Sequence, residues 1–156
     1  MKTKDNPGVH VAPPLIYAAF FGLASIARSI LPIELDILNS NNFGFIGWSF
    51  IFSAVVILIP SLWKFWKTKN TLITIKPANS LQTSGIYAHT RNPMYLGLLL
   101  LYTGLSCLSG NCWTLIFLPF LFLVVQYYII LKEERYLERS FTEEYKIYKQ
   151  KVRRWL

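Results

Sequence analysis

The sequence predicts an all-α membrane protein of about four transmembrane helices, with a C-terminal helical hairpin followed by cytoplasmic amphipathic helices. Three observations predict it. Hydrophobic residues make up 53% and aromatic residues 16% of the 156 positions, an apolar share above that of an ordinary soluble domain. The apolar residues gather into four runs, three of them near the roughly 20 residues that cross a hydrocarbon core at a rise of about 1.5 Å each. The net charge of +8 comes from Lys and Arg that sit between these runs and favour alternate connections. By the positive-inside rule the tail, the Lys64 to Arg91 segment and the region after Leu131 face the cytoplasm. An integral protein of the cytoplasmic (inner) membrane with both termini cytoplasmic is therefore expected, as one domain over residues 1–156. A basic balance can signal nucleic acid, but here the cations flank apolar segments and form no stripe with exposed aromatics.

Residues 1–12 are polar and carry Lys2, Lys4 and Asp5, with Pro7-Gly8 as a turn. They read as a tail, and no small-residue cleavage site follows the next apolar run. The first span is Pro13 to Leu31; its single charge, Arg28, lies near the far end and can snorkel to the interface. Pro32 stops it. A polar connection, Ile33 to Asn42, leads to a second span from Phe43 to Trp63, in which Pro60 kinks or ends the helix. Residues 64–92 form a connecting loop on the cytoplasmic side. Its Thr71 to Ile75 stretch has too few β-branched residues for a sheet and is expected to be extended. Residues 93–131 form the hairpin: a short third span, Met94 to Leu108, then the turn Ser109 to Cys112, then a fuller fourth span, Trp113 to Leu131, bent by Pro119. In residues 132–156, Leu137, Phe141, Tyr145, Tyr148 and Val152 recur at helical spacing, giving one apolar-aromatic stripe on a surface-lying helix. Ser140 and Glu143 have capping-box spacing, which would divide this segment near Phe141.

Chemistry-bearing residues concentrate between Ser84 and Gly97, where Tyr87, His89, Arg91, Asn92 and Tyr95 meet the start of the third span. Arg91 cannot shed its charge, so at a membrane boundary it requires an anion. Pro93 suits the first helical turn and makes Asn92 the expected N-cap. Such a helix entrance with an adjacent Arg can hold a carboxylate or phosphate; Tyr and Arg also serve as plain interfacial anchors. Glu133 and Glu134 follow the fourth span directly, which brings two carboxylates to the same face if the hairpin closes. They can equally pair with Lys132, Arg135 or Arg139 on a solvated surface. Cys107 and Cys112, five apart, and two distant histidines do not make a metal site; two thiols are expected at the turn.

Together these residues resemble the integral-membrane methyltransferase family that includes isoprenylcysteine carboxyl methyltransferases and phospholipid N-methyltransferases. The carriers are Thr83 to Tyr87, Arg91-Asn-Pro-Met-Tyr95 with Gly97, Glu133-Glu134, Phe141 to Tyr148, and Val152 to Arg154. The resemblance implies S-adenosyl-L-methionine (AdoMet) as methyl donor, held by hairpin and C-terminal helices. It points to Asn79, Ser80, Leu81, Gln82, Tyr87, His89, Asn92, Pro93, Met94 and Tyr95 around the cofactor, with Glu133 or Glu134 completing the site. Arg91 and Glu134 are the expected catalytic residues. The implied partners are the lipid bilayer and a lipophilic methyl acceptor that is a lipid, a lipid-modified molecule or a small hydrophobic compound; no metal and no nucleic acid is expected. Many members carry Gly where Thr142 stands, and its loss is expected to tighten the C-terminal helix. Two other readings stay open: a sterol-reductase-like membrane reductase using NADPH, and a non-catalytic membrane scaffold.

Overall fold

The structure is a computed structural model that describes residues 7–67 and 80–156. Among the described residues every regular element is helical. Helix α1 spans Pro13–Ile30, opening on consecutive prolines whose fixed φ suits a first turn. Helix α2 spans Asn41–Lys67, α3 Pro93–Ser109, α4 Cys112–Val124 and α5 Leu131–Lys151. Single 3₁₀ turns occupy Asp36–Asn39 and Gly85–Ala88. Helices α1, α2 and α4, the last continuing into α5, are long and apolar enough to cross a membrane, and α3 is a shorter apolar helix. Outward residues such as Leu15, Phe52, Ile59 and Phe120 are more than half exposed, a surface suited to lipid and costly in water.

Expected boundaries are met to within a few residues, except in α2, which begins two residues early, passes through Pro60 and runs on to Lys67. Pro60 does not end it. Nor does the helix that carries the fourth span stop at Leu131: α4 passes through a π-helical segment, Val125–Ile130, straight into α5. The Thr71 to Ile75 stretch lies outside the described residues.

Helix α3 packs chiefly against α2, while α4 lies against α1. The hairpin partners α3 and α4 thus each lean on an N-terminal helix. Close approach of α2 and α3 needs glycine: a Cβ on Gly97 would stand 2.6 Å from Leu58 Cγ, and one on Gly104 would stand 2.8 Å from the Gly47 carbonyl oxygen. Small residues allow such backbone contact between membrane helices. The main core gathers Tyr17, Tyr95, Tyr102, Leu121, Val125 and Ile129 from α1, α3, α4 and the π segment.

At one end of the bundle the α3–α4 turn is built from local signals. Gly110 caps α3 in the left-handed region at φ 58, and the Asn111 side chain caps α4 by accepting from Trp113 N at 3.1 Å. Arg28 Nη1 donates to the Ser109 carbonyl at 3.1 Å, Asn111 Nδ2 to Ala24 O at 3.2 Å and Trp113 Nε1 to Leu31 O at 2.8 Å. Cys107 and Cys112 are free thiols.

At the other end α5 breaks once, at Thr142 (φ 22, ψ −94). The division expected near Phe141 is present, one residue on. The expectation that losing glycine tightens this helix fails, because Thr142 itself adopts a positive φ. The stripe of Tyr145, Tyr148 and Val152 packs with Leu81, Leu137 and Phe141, turned onto the connecting loop and not onto a lipid surface.

Candidate functional site

The rim opposite the α3–α4 turn is organised by the first turn of α5. The wider π turn at Val125–Ile130 buries Val125, Ile129 and Ile130 and sets the rotation at which α5 begins; such turns inside α-helices recur at functional sites. Successive residues of a helix point about 100° apart. Glu133 and Glu134 therefore leave α5 in different directions and meet different partners.

Glu134 is buried and shared by two arginines. Arg154 grips it with a two-pronged contact, Nε to Oε1 at 3.0 Å and Nη2 to Oε2 at 2.8 Å. Arg91 reaches the same Oε1 through Nη2 at 3.2 Å. The side chains of Arg91 and Glu134 are 8% and 7% exposed, so water contributes little and the charges must satisfy one another. Arg91 Nη1 also donates to Tyr145 Oη at 3.4 Å. Its third nitrogen, Nε, is buried and has no partner among the described residues.

Glu133 is treated differently. Its Oε1 accepts from Tyr95 Oη at 2.6 Å, and among the described residues no cation pairs with it. Burial raises its carboxyl to about 7, opposed by the Tyr95 hydrogen bond and reinforced by the Glu134 charge. Tyr95 is held from its other side, since Tyr17 Oη donates to the Tyr95 carbonyl at 3.2 Å.

The chain's last residues close around the entrance to α3. The Arg153 carbonyl accepts from Arg91 N at 3.0 Å. The Arg154 carbonyl accepts from Thr90 Oγ1 at 3.1 Å and from Asn92 Nδ2 at 3.0 Å. Tyr148 Oη donates to the Tyr87 carbonyl at 2.6 Å. Trp155 Nε1 donates to Gln126 Oε1 at 3.0 Å, and its ring lies 5.3 Å from that of Phe122. Asn92 stands at the N-cap position but makes no side-chain cap bond to α3; its Nδ2 ties the helix entrance to the C-terminal residues instead.

Arg91, Asn92, Pro93, Tyr95, Glu133 and Glu134 are brought together at this rim, and Tyr87, buried at 6% exposure, adjoins it through Tyr148. Met94, the second residue of α3, is half-buried; Ser80, Leu81 and Gln82 are half-buried on the approach, with Gln82 Nε2 donating to Ser80 Oγ at 2.8 Å. His89 is exposed and stands outside the cluster. Asn79 lies outside the described residues. Sequence reasoning assigned no site role to Thr90, Tyr145, Tyr148 or Arg154. The tyrosines carried a usable signal in their helical spacing with Phe141, whereas Arg154 follows the last helix and shows no spacing that would connect it to Glu134.

Apolar membrane-length helices closed at one rim by a mixed-charge cluster define a small integral-membrane protein with its buried charges gathered at one end of the bundle. The sequence profile of the phospholipid methyltransferase family (PEMT) matches residues 43–144, well over half of the chain, and the chain belongs to that family of membrane methyltransferases. An uncharacterized protein of Haemophilus influenzae is 44% identical over 63 residues, which is 40% of this chain and 100% of that protein. No solved structure matches the chain. Arg154, Tyr145 and Tyr148 lie beyond the matched residues.

Proposed function

We propose that the protein transfers a methyl group from AdoMet to a lipid, lipid-modified or small hydrophobic acceptor that reaches the rim from the bilayer. The observation that carries this reading is a pair of unspent groups of opposite sign on one rim: the N–H of Arg91 Nε, which has no partner among the described residues, and the carboxyl of Glu133, which accepts from the Tyr95 phenol and has no cation beside it among the described residues. AdoMet presents a carboxylate, an ammonium and a sulfonium, so it needs both signs within one site. Arg91 Nε and the first-turn N–H groups of α3, which lack intrahelical partners, suit the carboxylate. Glu133 suits the ammonium. Tyr87 and Tyr95 bring aromatic rings to the same place, and rings tolerate a nearby cation. Glu134, already shared by Arg91 and Arg154, acts by holding Arg91.

When bound, AdoMet supplies an activated methyl group on sulfur. The chain's part is to fix donor and acceptor in line and to exclude water, the two contributions that positioning chemistry demands. With the rim on the cytoplasmic side, as the distribution of Lys and Arg favours, both termini are cytoplasmic and the acceptor enters from the inner leaflet. Membership of a methyltransferase family supports this reading over an NADPH-dependent reductase or a scaffold.

Isothermal titration of the protein in nanodiscs with AdoMet tests the reading. Saturable binding is expected, weakened about tenfold in Glu133→Gln through loss of one charge-assisted contact. Incubation with isotopically labelled methyl donor and total membrane lipid should place label in the lipid fraction. Absence of AdoMet binding in nanodiscs and in several detergents would remove the proposal.

A further inference from the structure

Arg154 raises a question that the family match does not reach. A guanidinium meets a carboxylate best through two parallel N–H donors, and Arg154 takes Glu134 in that way with Nε and Nη2. Arg91 touches the same carboxylate with a single nitrogen, Nη2, at 3.2 Å. With Arg154 on both oxygens, the Nε of Arg91 has no acceptor among the described residues. Two guanidinium charges facing one buried carboxylate also leave the pair with a surplus positive charge, which Glu133, bonded to Tyr95, does not neutralise by direct contact.

We propose that Arg154 is a positioning residue for anion binding: by holding Glu134 two-pronged, it keeps Arg91 from closing onto that carboxylate and so presents Arg91 Nε to the carboxylate of the ligand. This rests on the AdoMet reading above. Without Arg154, Arg91 swings its Nε and Nη2 edge onto Glu134, and the donor meant for the ligand is consumed inside the protein. The same C-terminal residues fix the backbone of Thr90 to Asn92 through the carbonyls of Arg153 and Arg154. Those contacts are made by main chain and survive a side-chain substitution at position 154.

The test compares Arg154→Gln, Arg154→Lys and the double variant Glu134→Gln with Arg154→Gln, in nanodiscs, against two ligands. AdoMet carries the amino-acid carboxylate; 5′-methylthioadenosine keeps the nucleoside and sulfur but lacks it. Arg154→Gln is expected to weaken AdoMet about tenfold while leaving methylthioadenosine within about twofold. Arg154→Lys, which cannot make the two-pronged contact, should fall between. The double variant removes the carboxylate onto which Arg91 would close, so AdoMet affinity should recover most of the way. Equal weakening of both ligands in Arg154→Gln, or no recovery in the double variant, would overturn the proposal and leave Arg154 as plain structural support. A ligand-free readout separates it from the AdoMet reading: hydrogen exchange at Arg91 Nε, followed by NMR, should slow in Arg154→Gln and return to its original rate in the double variant. If the native protein binds neither ligand, the AdoMet reading fails, and the exchange rates alone then decide what Arg154 does to Arg91.

Discussion

The two ends of this helical bundle are built from similar residues, an arginine, an asparagine and a tryptophan at each, and both asparagines donate to a backbone carbonyl, yet the arginines are used in opposite ways. At the α3–α4 turn every one of these donors finishes on a backbone carbonyl: Arg28 on Ser109, Asn111 on Ala24, Trp113 on Leu31. Helix C-termini and turns leave carbonyls unsatisfied, so these contacts complete the backbone and leave little over. At the other end Arg91 and Arg154 converge on one carboxylate, while among the described residues Glu133 has no cationic partner and the buried Nε of Arg91 has no acceptor. The contrast teaches how to tell a latch from a site when the residue types are alike. A latch balances itself, whereas a site holds charge that something else must complete.

The sharpest way to break the contrast is to remove the central anion. Glu134→Ala leaves two guanidinium groups facing each other with no counter-charge, and removing one partner of a buried ion pair costs about 3 kcal/mol or more. Equilibrium unfolding in mixed micelles should record that loss. Arg28→Ala at the opposite end removes one exposed donor from a carbonyl and should cost at most about 1 kcal/mol. Equal losses would mean that the rim is no more interdependent than the turn.

Gly110→Ala should disturb the turn alone. Its φ of 58 belongs to the left-handed region and a Cβ there would stand 2.6 Å from Asn39 Oδ1, so a destabilisation of about 1–2 kcal/mol is expected from backbone strain. AdoMet affinity measured on the folded fraction should not change. A shift in affinity there would tie the two ends together through α3 and dissolve the distinction.

Binding at the rim should also follow the charge state of Glu133. In the unliganded fold its carboxyl is raised to about 7, so the neutral form is favoured below that pH and the ionised form above it. For folding, this group's contribution is complete below about 4.5 and is lost as pH rises through about 7. For binding, an ammonium ligand wants the ionised form. AdoMet affinity should therefore rise about fivefold from pH 6 to pH 7, a window in which an α-amino group stays charged. Glu133→Gln should flatten that rise. Titrations at both pH values, with Tyr95→Phe as the variant that removes the one hydrogen bond opposing the shift, would check the assignment. An unchanged slope in Glu133→Gln would take the carboxyl out of the site.

Much of this was legible before any coordinates. The apolar runs and their lengths located α1, α3 and α4, because lipid-facing surface demands continuous apolarity and not a periodic pattern. Arg91, Pro93, Tyr95 and the acidic pair stood out because charges beside an apolar span need a reason. What could not be read was the partner choice. Asn92 looked like a cap from its place before Pro93, but its side chain makes no cap bond and its Nδ2 reaches a carbonyl 62 residues away, a contact that no local spacing announces. The two glutamates could not be told apart, since their difference arises from the rotation set by the π turn and from an arginine that follows the last helix. His89 follows the 3₁₀ turn Gly85–Ala88 and is exposed, a placement that its neighbours in the sequence do not announce.

The smallest expected effect concerns the bend that brings the C-terminal residues over the rim. Thr142 holds φ 22 and ψ −94, a conformation that a β-branched residue adopts at a cost and glycine adopts freely. If the bend exists to carry Tyr145, Tyr148 and Arg154 to their partners, relieving it in place should keep the rim intact. Thr142→Gly is expected to stabilise by about 0.5–1 kcal/mol, the gain at the positive φ being offset in part by the greater freedom of glycine in the unfolded chain. Thermal unfolding would read the gain, and AdoMet affinity should hold constant. Thr142→Pro should do the reverse, because proline fixes φ near −65° and straightens the very step that folds the chain back. Loss of AdoMet binding in Thr142→Pro with its retention in Thr142→Gly would show that the backward turn of α5, and not the threonine side chain, completes the charged end of the bundle.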